Sequence, residues 1–270
     1  MISLRFPVIV LIAITLLMAL SPRWLRTASA ELRSVGGDAT PRIPVLIELF
    51  TSEGCSSCPP ADALLEKLDR SQPVRNAELV VLSEHVDYWD DIGWKDPYSS
   101  HEFSRRQGDY ARRFRLDGPY TPQMVVDGGM QFVGSDERRA IQVIANATKV
   151  EKVRVSLSSI HPQGDGTLAV HIESGPLAFS GSSKSANILL VLADESDQSN
   201  VRTGENAGRI LKHVAVVRSL IQVGTIDGGG AFSRDIKVSA EHVIQRNLRI
   251  IAIVQEPGVG RVLGVGSARL

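Results

Sequence analysis

The chain has 270 residues, of which 43% are hydrophobic and 22% charged, with 30 basic and 30 acidic side chains. That balance is the one found in globular proteins and excludes a disordered chain, and a net charge of zero offers no general attraction to nucleic acid or to anionic membranes. The length favours two domains over one.

Residues 1–30 read as an export signal. Arg5 forms a short basic start, Phe6 to Leu20 is an uncharged apolar run, and Ala28-Ser29-Ala30 has the small-x-small pattern of a cleavage site. The run is shorter than the ~20 residues that span a bilayer. Arg23 and Arg26 after it keep a retained N-terminal anchor open as the alternative. Cleavage removes three arginines and no acid, so 27 basic and 30 acidic residues remain, a net charge near −3. The expected location is periplasmic or secreted, with no membrane span after cleavage.

Residues 31–43 form a polar leader. Pro44 to Phe50 is an almost continuous apolar run, the pattern of a strand buried on both faces. A turn, Thr51 to Gly54, leads to Cys55-Ser56-Ser57-Cys58. A helix is predicted from Pro59 to about Leu68, with Ala61, Leu64, Leu65 and Leu68 on one side and both prolines in the first turn. Leu79 to Leu82 is a second buried strand, and an unusual segment fills 86–118, with a helix near Ser99–Arg115. Gln123–Val126 and Met130–Val133 make a hairpin around Asp127-Gly128-Gly129. A third helix, capped by Ser135, runs to about Ala147. From Glu151 the texture changes. Six strand patterns follow, at Val153–Leu157, Leu168–Ile172, Asn187–Ala193, Val214–Val223, Ser233–Val238 and Leu248–Val254. Only a short turn near Ala240–Val243 suggests helix, so residues 151–270 read as a small β-sandwich.

Cys55 and Cys58 are the two cysteines of the chain. Export places them where a disulfide persists. A bridge between residues three apart removes little chain entropy, which argues for redox chemistry over bracing. At a helix start, free N–H groups and the positive dipole end stabilise a thiolate. Cys55, at the outer end, is then the attacking residue and Cys58 the resolving one. Ser56 and Ser57 supply no cation, and Glu53 raises the thiol pKa slightly, so an extreme oxidant is not expected. An inert structural disulfide and a metal site are the competing readings. Zinc usually wants four ligands, whereas Cu(I) needs only two thiolates with, for instance, His85.

The order strand, Cys-x-x-Cys, helix, strand, insertion, X-Pro, hairpin, helix resembles the thioredoxin fold. The stretch Glu48 to Asp62, together with Gly204-Glu205-Asn206-Ala207-Gly208-Arg209 through Arg218, resembles a thioredoxin-like family of exported bacterial proteins, domain-of-unknown-function family 1223. The likeness covers residues 44–270. It implies an α/β thioredoxin-like domain at 44–150, interrupted by the 86–118 insertion, then a mostly β, sandwich-like domain at 151–270. It implies a cis Thr121-Pro122 bond facing the disulfide and a buried acid, Glu48, able to accept a proton from Cys58; the alternative is that Glu48 faces solvent. It implies no substrate. Gly54, the two inner serines and Pro59-Pro60 depart from thioredoxin itself.

All four tyrosines and both mature-chain tryptophans fall between Tyr88 and Tyr120. Tyr88, Trp89, Trp94 and Tyr120 are therefore candidates for a partner-binding cap, against a satellite core under an inserted helix. Arg105, Arg106, Arg112, Arg113 and Arg115 read as a solvated face or, more sharply, an anion site. The six histidines are scattered without ligand spacing. No phosphate loop or nucleophile elbow occurs. The expectation is a thiol–disulfide oxidoreductase acting on the thiols or disulfides of exported proteins, with no cofactor beyond its own disulfide and no resident metal. A non-catalytic adaptor and a Cu(I)-handling protein are the alternatives.

Overall fold

The computed structural model describes residues 42–177, 184–240 and 247–270. The expected export signal, nearly all of the expected leader and most of the turn expected near Ala240–Val243 lie outside them. In chain order the elements are β1 Ile43–Thr51, α1 Pro59–Ser71, β2 Ala77–His85, α2 His101–Phe114, β3 Gln123–Val126, β4 Met130–Val133 and α3 Glu137–Ala147. They continue with β5 Val155–Pro162, β6 Thr167–Ser174, β7 Ser185–Asn200, β8 Ile210–Asp227, β9 Phe232–Ser239, β10 Leu248–Gln255 and β11 Val262–Arg269.

Local chemistry accounts for the helices. Pro59 and Pro60 occupy the first turn of α1, where a missing N–H costs nothing, and Ala61, Leu64, Leu65 and Leu68 turn to the core as their spacing requires. Ser100 caps α2 by accepting from the Glu102 N–H. In α3 the cap is Asp136, whose carboxylate accepts from the Arg139 N–H at 2.9 Å; Ser135 stands one residue too early to do so.

The predicted division into an α/β thioredoxin-like domain and a separate β domain is corrected by the sheet itself. Strand makes up 47% of the described residues and helix 18%. One eight-stranded mixed sheet runs β11-β10-β7-β8-β2-β1-β3-β4, so strands from both halves lie in a single layer. The junction is β2 beside β8, parallel at the Ser83–Val216 bridge. Left alone, β2 would be an edge with every residue from Leu79 to His85 buried and Leu79–Leu82 apolar; β8 covers that edge and bonds to it at this bridge. A smaller antiparallel sheet, β5-β6-β9, packs on the β7–β10 end.

Alternate residues of the large sheet sort the core. Val45, Ile47 and Leu49 meet α1 and α3 on one face, and Ile188, Leu190, Leu192, Ile250 and Ala252 meet the small sheet. The opposite face, including Leu46, Leu82, Val191 and Ile253, packs under Phe103 of α2. Strand β11 had no counterpart in the sequence reading, because Gly264 and Gly266 break its apolar pattern. Their place is a crossing: a Cβ on Gly266 would stand 2.5 Å from the Val155 carbonyl oxygen, and one on Gly264 2.5 Å from that of Val153.

Candidate functional site

The site lies at the carboxyl ends of β1 and β2, where Thr51 and His85 pair. The turn after β1 brings Cys55 N–H to Ser52 O and Cys58 N–H to Cys55 O, and Ala61 and Asp62 then donate to Cys58 O to open α1. Cys58 is the N-cap residue of α1. The two cysteines are joined in a disulfide, Cα atoms 5.4 Å apart, at the positive end of the helix dipole. Both are fully buried, whereas Ser56 and Ser57 between them are exposed.

A cluster of ionisable side chains fills the space beside this turn. Glu53 and His85 are 0% exposed, Asp96 2%, His213 4% and Asp62 6%. His85 Nδ1 is 2.7 Å from Asp96 Oδ2, which also accepts the Glu53 N–H. The Glu53 carboxylate takes the Trp94 indole N–H at 2.8 Å, the Ser199 hydroxyl, and His213 Nε2 at 3.2 Å. Thr51 donates to Asp62, and His213 Nδ1, without a hydrogen bond of its own, stands 3.9 Å from the same carboxylate. The His85 and His213 rings meet edge to face at 4.6 Å, with Tyr98 against both.

Burial opposes charge throughout this cluster, and the neighbours decide who keeps it. Burial works to lower His85, but Asp96 first, then Asp62 and Glu53, outweigh it and hold the imidazole above its ordinary value. Burial likewise works to raise Asp96, yet His85 and the Glu53 and Tyr98 N–H groups leave it below the usual carboxylate range. For Asp62 burial wins over His213 and His85, and the carboxyl is raised.

Glu48 is buried, so it does not face solvent, and its carboxylate turns toward α2. Arg106 Nε donates to it at 2.7 Å and Tyr110 at 2.6 Å, and Gln255 completes the group through Arg106 and Tyr110. Both of its oxygens are taken there, and no hydrogen bond joins it to the cysteines. Arg106 thus leaves the expected solvated arginine face, while Arg105, Arg112, Arg113 and Arg115 remain on it.

Thr121-Pro122 is cis. Trp89 Nε1 donates to Thr121 Oγ1 at 2.8 Å, and the Trp89 Cβ is 3.1 Å from where a Gly54 side chain would begin. Trp94 holds Glu53. Tyr88, one residue before Trp89, and Tyr120, beyond the 86–118 segment, are bonded to Gln107 and Gln131. The structure therefore brings Trp89 and Trp94 to the turn of Cys55 and Cys58 and ties Thr121 to it through Trp89, while Tyr88 bonds Gln107 and Thr121, Pro122 lies beside Gly134, and Glu48 and Tyr120 turn to other partners. The opposite wall comes from the β7–β8 connection, which the sequence reading did not place here. Asn206, fully buried, donates to the carbonyls of Glu53 and Cys55, both at 2.9 Å, and Glu205 accepts the Ser56 N–H at 3.0 Å. The glycine-flanked polar run Gly204–Gly208 was the available signal; His213 and Asp96 gave none, since their partners are distant in sequence.

Among the described residues no three His, Cys, Asp or Glu side chains are arranged to hold a metal ion, and the ring nitrogens of His85 face Asp96 and Ser83. No described helix is long and apolar enough to cross a membrane.

The crystal structure of protein AGR_C_4864 from Agrobacterium tumefaciens is similar over 85% of this chain and 95% of its own, at 26% identity and a TM-score of 0.64. HBP35 of Porphyromonas gingivalis shares the fold over 86% of this chain and 76% of its own, at 14% identity and a TM-score of 0.61. No curated protein matches the chain. Residues 46–255 match the family described as protein of unknown function DUF1223, and the chain belongs to that family.

Proposed function

We propose that the protein is a thiol–disulfide oxidoreductase whose working pair is Cys55–Cys58. The observation that carries this reading is the disulfide at the α1 N-terminus beside five buried ionisable side chains. As a brace, a loop this short contributes only about 2 kcal/mol. Each ion moved into the interior costs several kcal/mol before compensation, so stability alone does not account for the arrangement. The resemblance to thioredoxin-like redox proteins is carried here by the site: the pair, the adjoining helix and Thr121-Pro122.

In the exchange, a substrate thiolate attacks Cys55 Sγ. The Cys55–Cys58 bond breaks, and Cys58 Sγ leaves with the electron pair and takes up a proton. A second substrate thiolate, formed by loss of its proton, attacks the substrate sulfur of the mixed disulfide and releases Cys55. Two electrons pass to the pair and the substrate dithiol becomes a disulfide; the reverse sequence reduces a substrate. The N-terminal N–H groups of α1 stabilise the departing thiolate. The substrates are the thiols or disulfides of exported proteins, and residues 1–30 are removed on export to the periplasm or the exterior. The reading requires no cofactor or metal.

Cys58→Ser should trap a mixed disulfide on Cys55 with a dithiol-bearing protein substrate, seen as a band shift that dithiothreitol reverses. Absence of any adduct when the cysteine is demonstrably reactive to iodoacetamide sinks the proposal.

A further inference from the structure

Helix α2 carries an arginine-rich face that the disulfide site does not use. Glu102, Arg105, Arg106 and Asp109 recur at i, i+3, i+4 and i+7, so they share one side of the helix. That side looks across a cavity of about 490 Å³ to Leu189 of β7, Leu220 and Gln222 of β8, and Val259 beyond β10. The sheet face beneath is apolar through Leu189, Val191, Ile251 and Ile253. It turns polar at one end, where Asn187 pairs with Gln255 and Leu189 with Gln222. Arg106 is the most deeply buried charge lining the cavity, at 8% exposure. Its Nε and Nη2 grip Glu48, and Nη2 also donates to Gln255, while Nη1 has no partner among the described residues. A donor withdrawn from bulk water in this way costs stability until something meets it. The Gln222 amide bonds Thr225 through Nε2 alone and keeps its oxygen free among the described residues. At the mouth, Arg105 holds Glu102 only at 3.9 Å, whereas Asp109 is paired with Arg112 and Glu256 with Arg261.

We propose that this cavity binds a small organic monocarboxylate, its carboxylate on Arg106 Nη1 and Arg105 and its apolar body against Leu189, Leu220 and Val259. The volume lies in the range of small-molecule sites, and so does the make-up, apolar walls with a few convergent polar groups. A guanidinium N–H bonds a carboxylate more strongly than it bonds a neutral acceptor. Glu48 orients Arg106 and fixes which of its nitrogens is left to face a ligand. The acids at the mouth, Glu102, Asp109 and Glu256, repel a second negative charge, so a dianion such as phosphate is disfavoured. None of these residues belongs to the cysteine cluster, and the site is independent of the redox reading.

The test is a fluorine NMR titration of the full chain with para-fluorophenylpropanoate, with the matching neutral amide as the control. The acid should bind saturably with a low-millimolar Kd or tighter, and the amide about tenfold more weakly. Arg106→Lys keeps the charge beside Glu48 but loses the planar fork, and should weaken the acid about tenfold. Gln222 is exposed, so charge can be changed there without disturbing the core. Gln222→Glu should weaken the acid about fivefold and Gln222→Lys should tighten it, with the amide unmoved by either. This opposed pair keeps the test valid if Arg106→Lys fails to fold, since a merely structural effect does not change sign with the charge. The proposal is overturned by no saturable binding of the acid up to about 20 mM, by equal binding of acid and amide, or by one affinity in both Gln222 variants.

Discussion

His85 carries much of the charge balance of the buried cluster. Its imidazole is held above the ordinary histidine value despite burial, by Asp96 above all. A raised histidine adds stability that is fully present below its unfolded pKa of about 6.5 and is lost as pH rises through the folded value. Asp96, being lowered, adds stability above about pH 4 that disappears on further acidification. Between pH 5.5 and 8.5 only the histidine half of this pair is titrating. Urea melts should therefore show His85→Gln losing less stability than the wild type across that interval. An equal or steeper loss in the variant contradicts the assignment. The second buried group works differently. Burial first, and then the neighbouring Glu48 carboxylate, push Glu84 well above its ordinary range, so it keeps its proton where a free glutamate has lost it and leaves Glu48 to pair with Arg106.

At the scale of elements, helices and hairpin were legible because each carries its own signal. Pro59-Pro60, Ser100 and the Asp127-Gly128-Gly129 turn act within a few residues of themselves, and α1, α2, β3 and β4 formed at or near the places their patterns marked. Strand β11 was illegible because its glycines answer to a partner surface. They let β5 cross at van der Waals distance, and a methyl group at Gly266 collides with backbone, which cannot rotate away. Gly266→Ala should therefore destabilise by about 1–3 kcal/mol, measured as a lowered urea midpoint with unchanged slope. Gly164→Ala, whose added methyl meets nothing within 4 Å, is the matched control. The β7–β8 connection shows the same limit. Its polarity and glycines marked a loop, while its position over the disulfide followed from β8 joining β2.

For the whole molecule, the continuous sheet has a direct consequence. The part of the sheet built from residues 42–150 ends at β2, whose buried flank Leu79–Leu82 is covered by β8 and by the core it shares with Val217 and Leu220. A chain cut after residue 150 exposes that apolar strand edge and loses Asn206 and His213 from the site. It should aggregate or remain partly folded, judged by size exclusion and near-ultraviolet circular dichroism, whereas the uncut chain should unfold in one transition seen alike by both probes. A well-folded monomeric fragment contradicts this view.

By itself the sequence determined the cysteine pair at a helix start, the elements around it, the buried strands and the family resemblance, because these depend on neighbours within a turn or two of chain. It also named Trp89 and Trp94, which the structure brings to that turn, and Thr121, which Trp89 bonds. The tertiary structure alone decided that the halves share one sheet, that Glu48 serves Arg106 and Tyr110, and that Glu53, Asp62, His85, Asp96 and His213 stand together. It also decided that Glu205 and Asn206 close over Cys55. The physical reason is common to all four: strand pairing across the chain and the compensation of buried charge are settled by which distant groups arrive to meet them, and no local pattern records that.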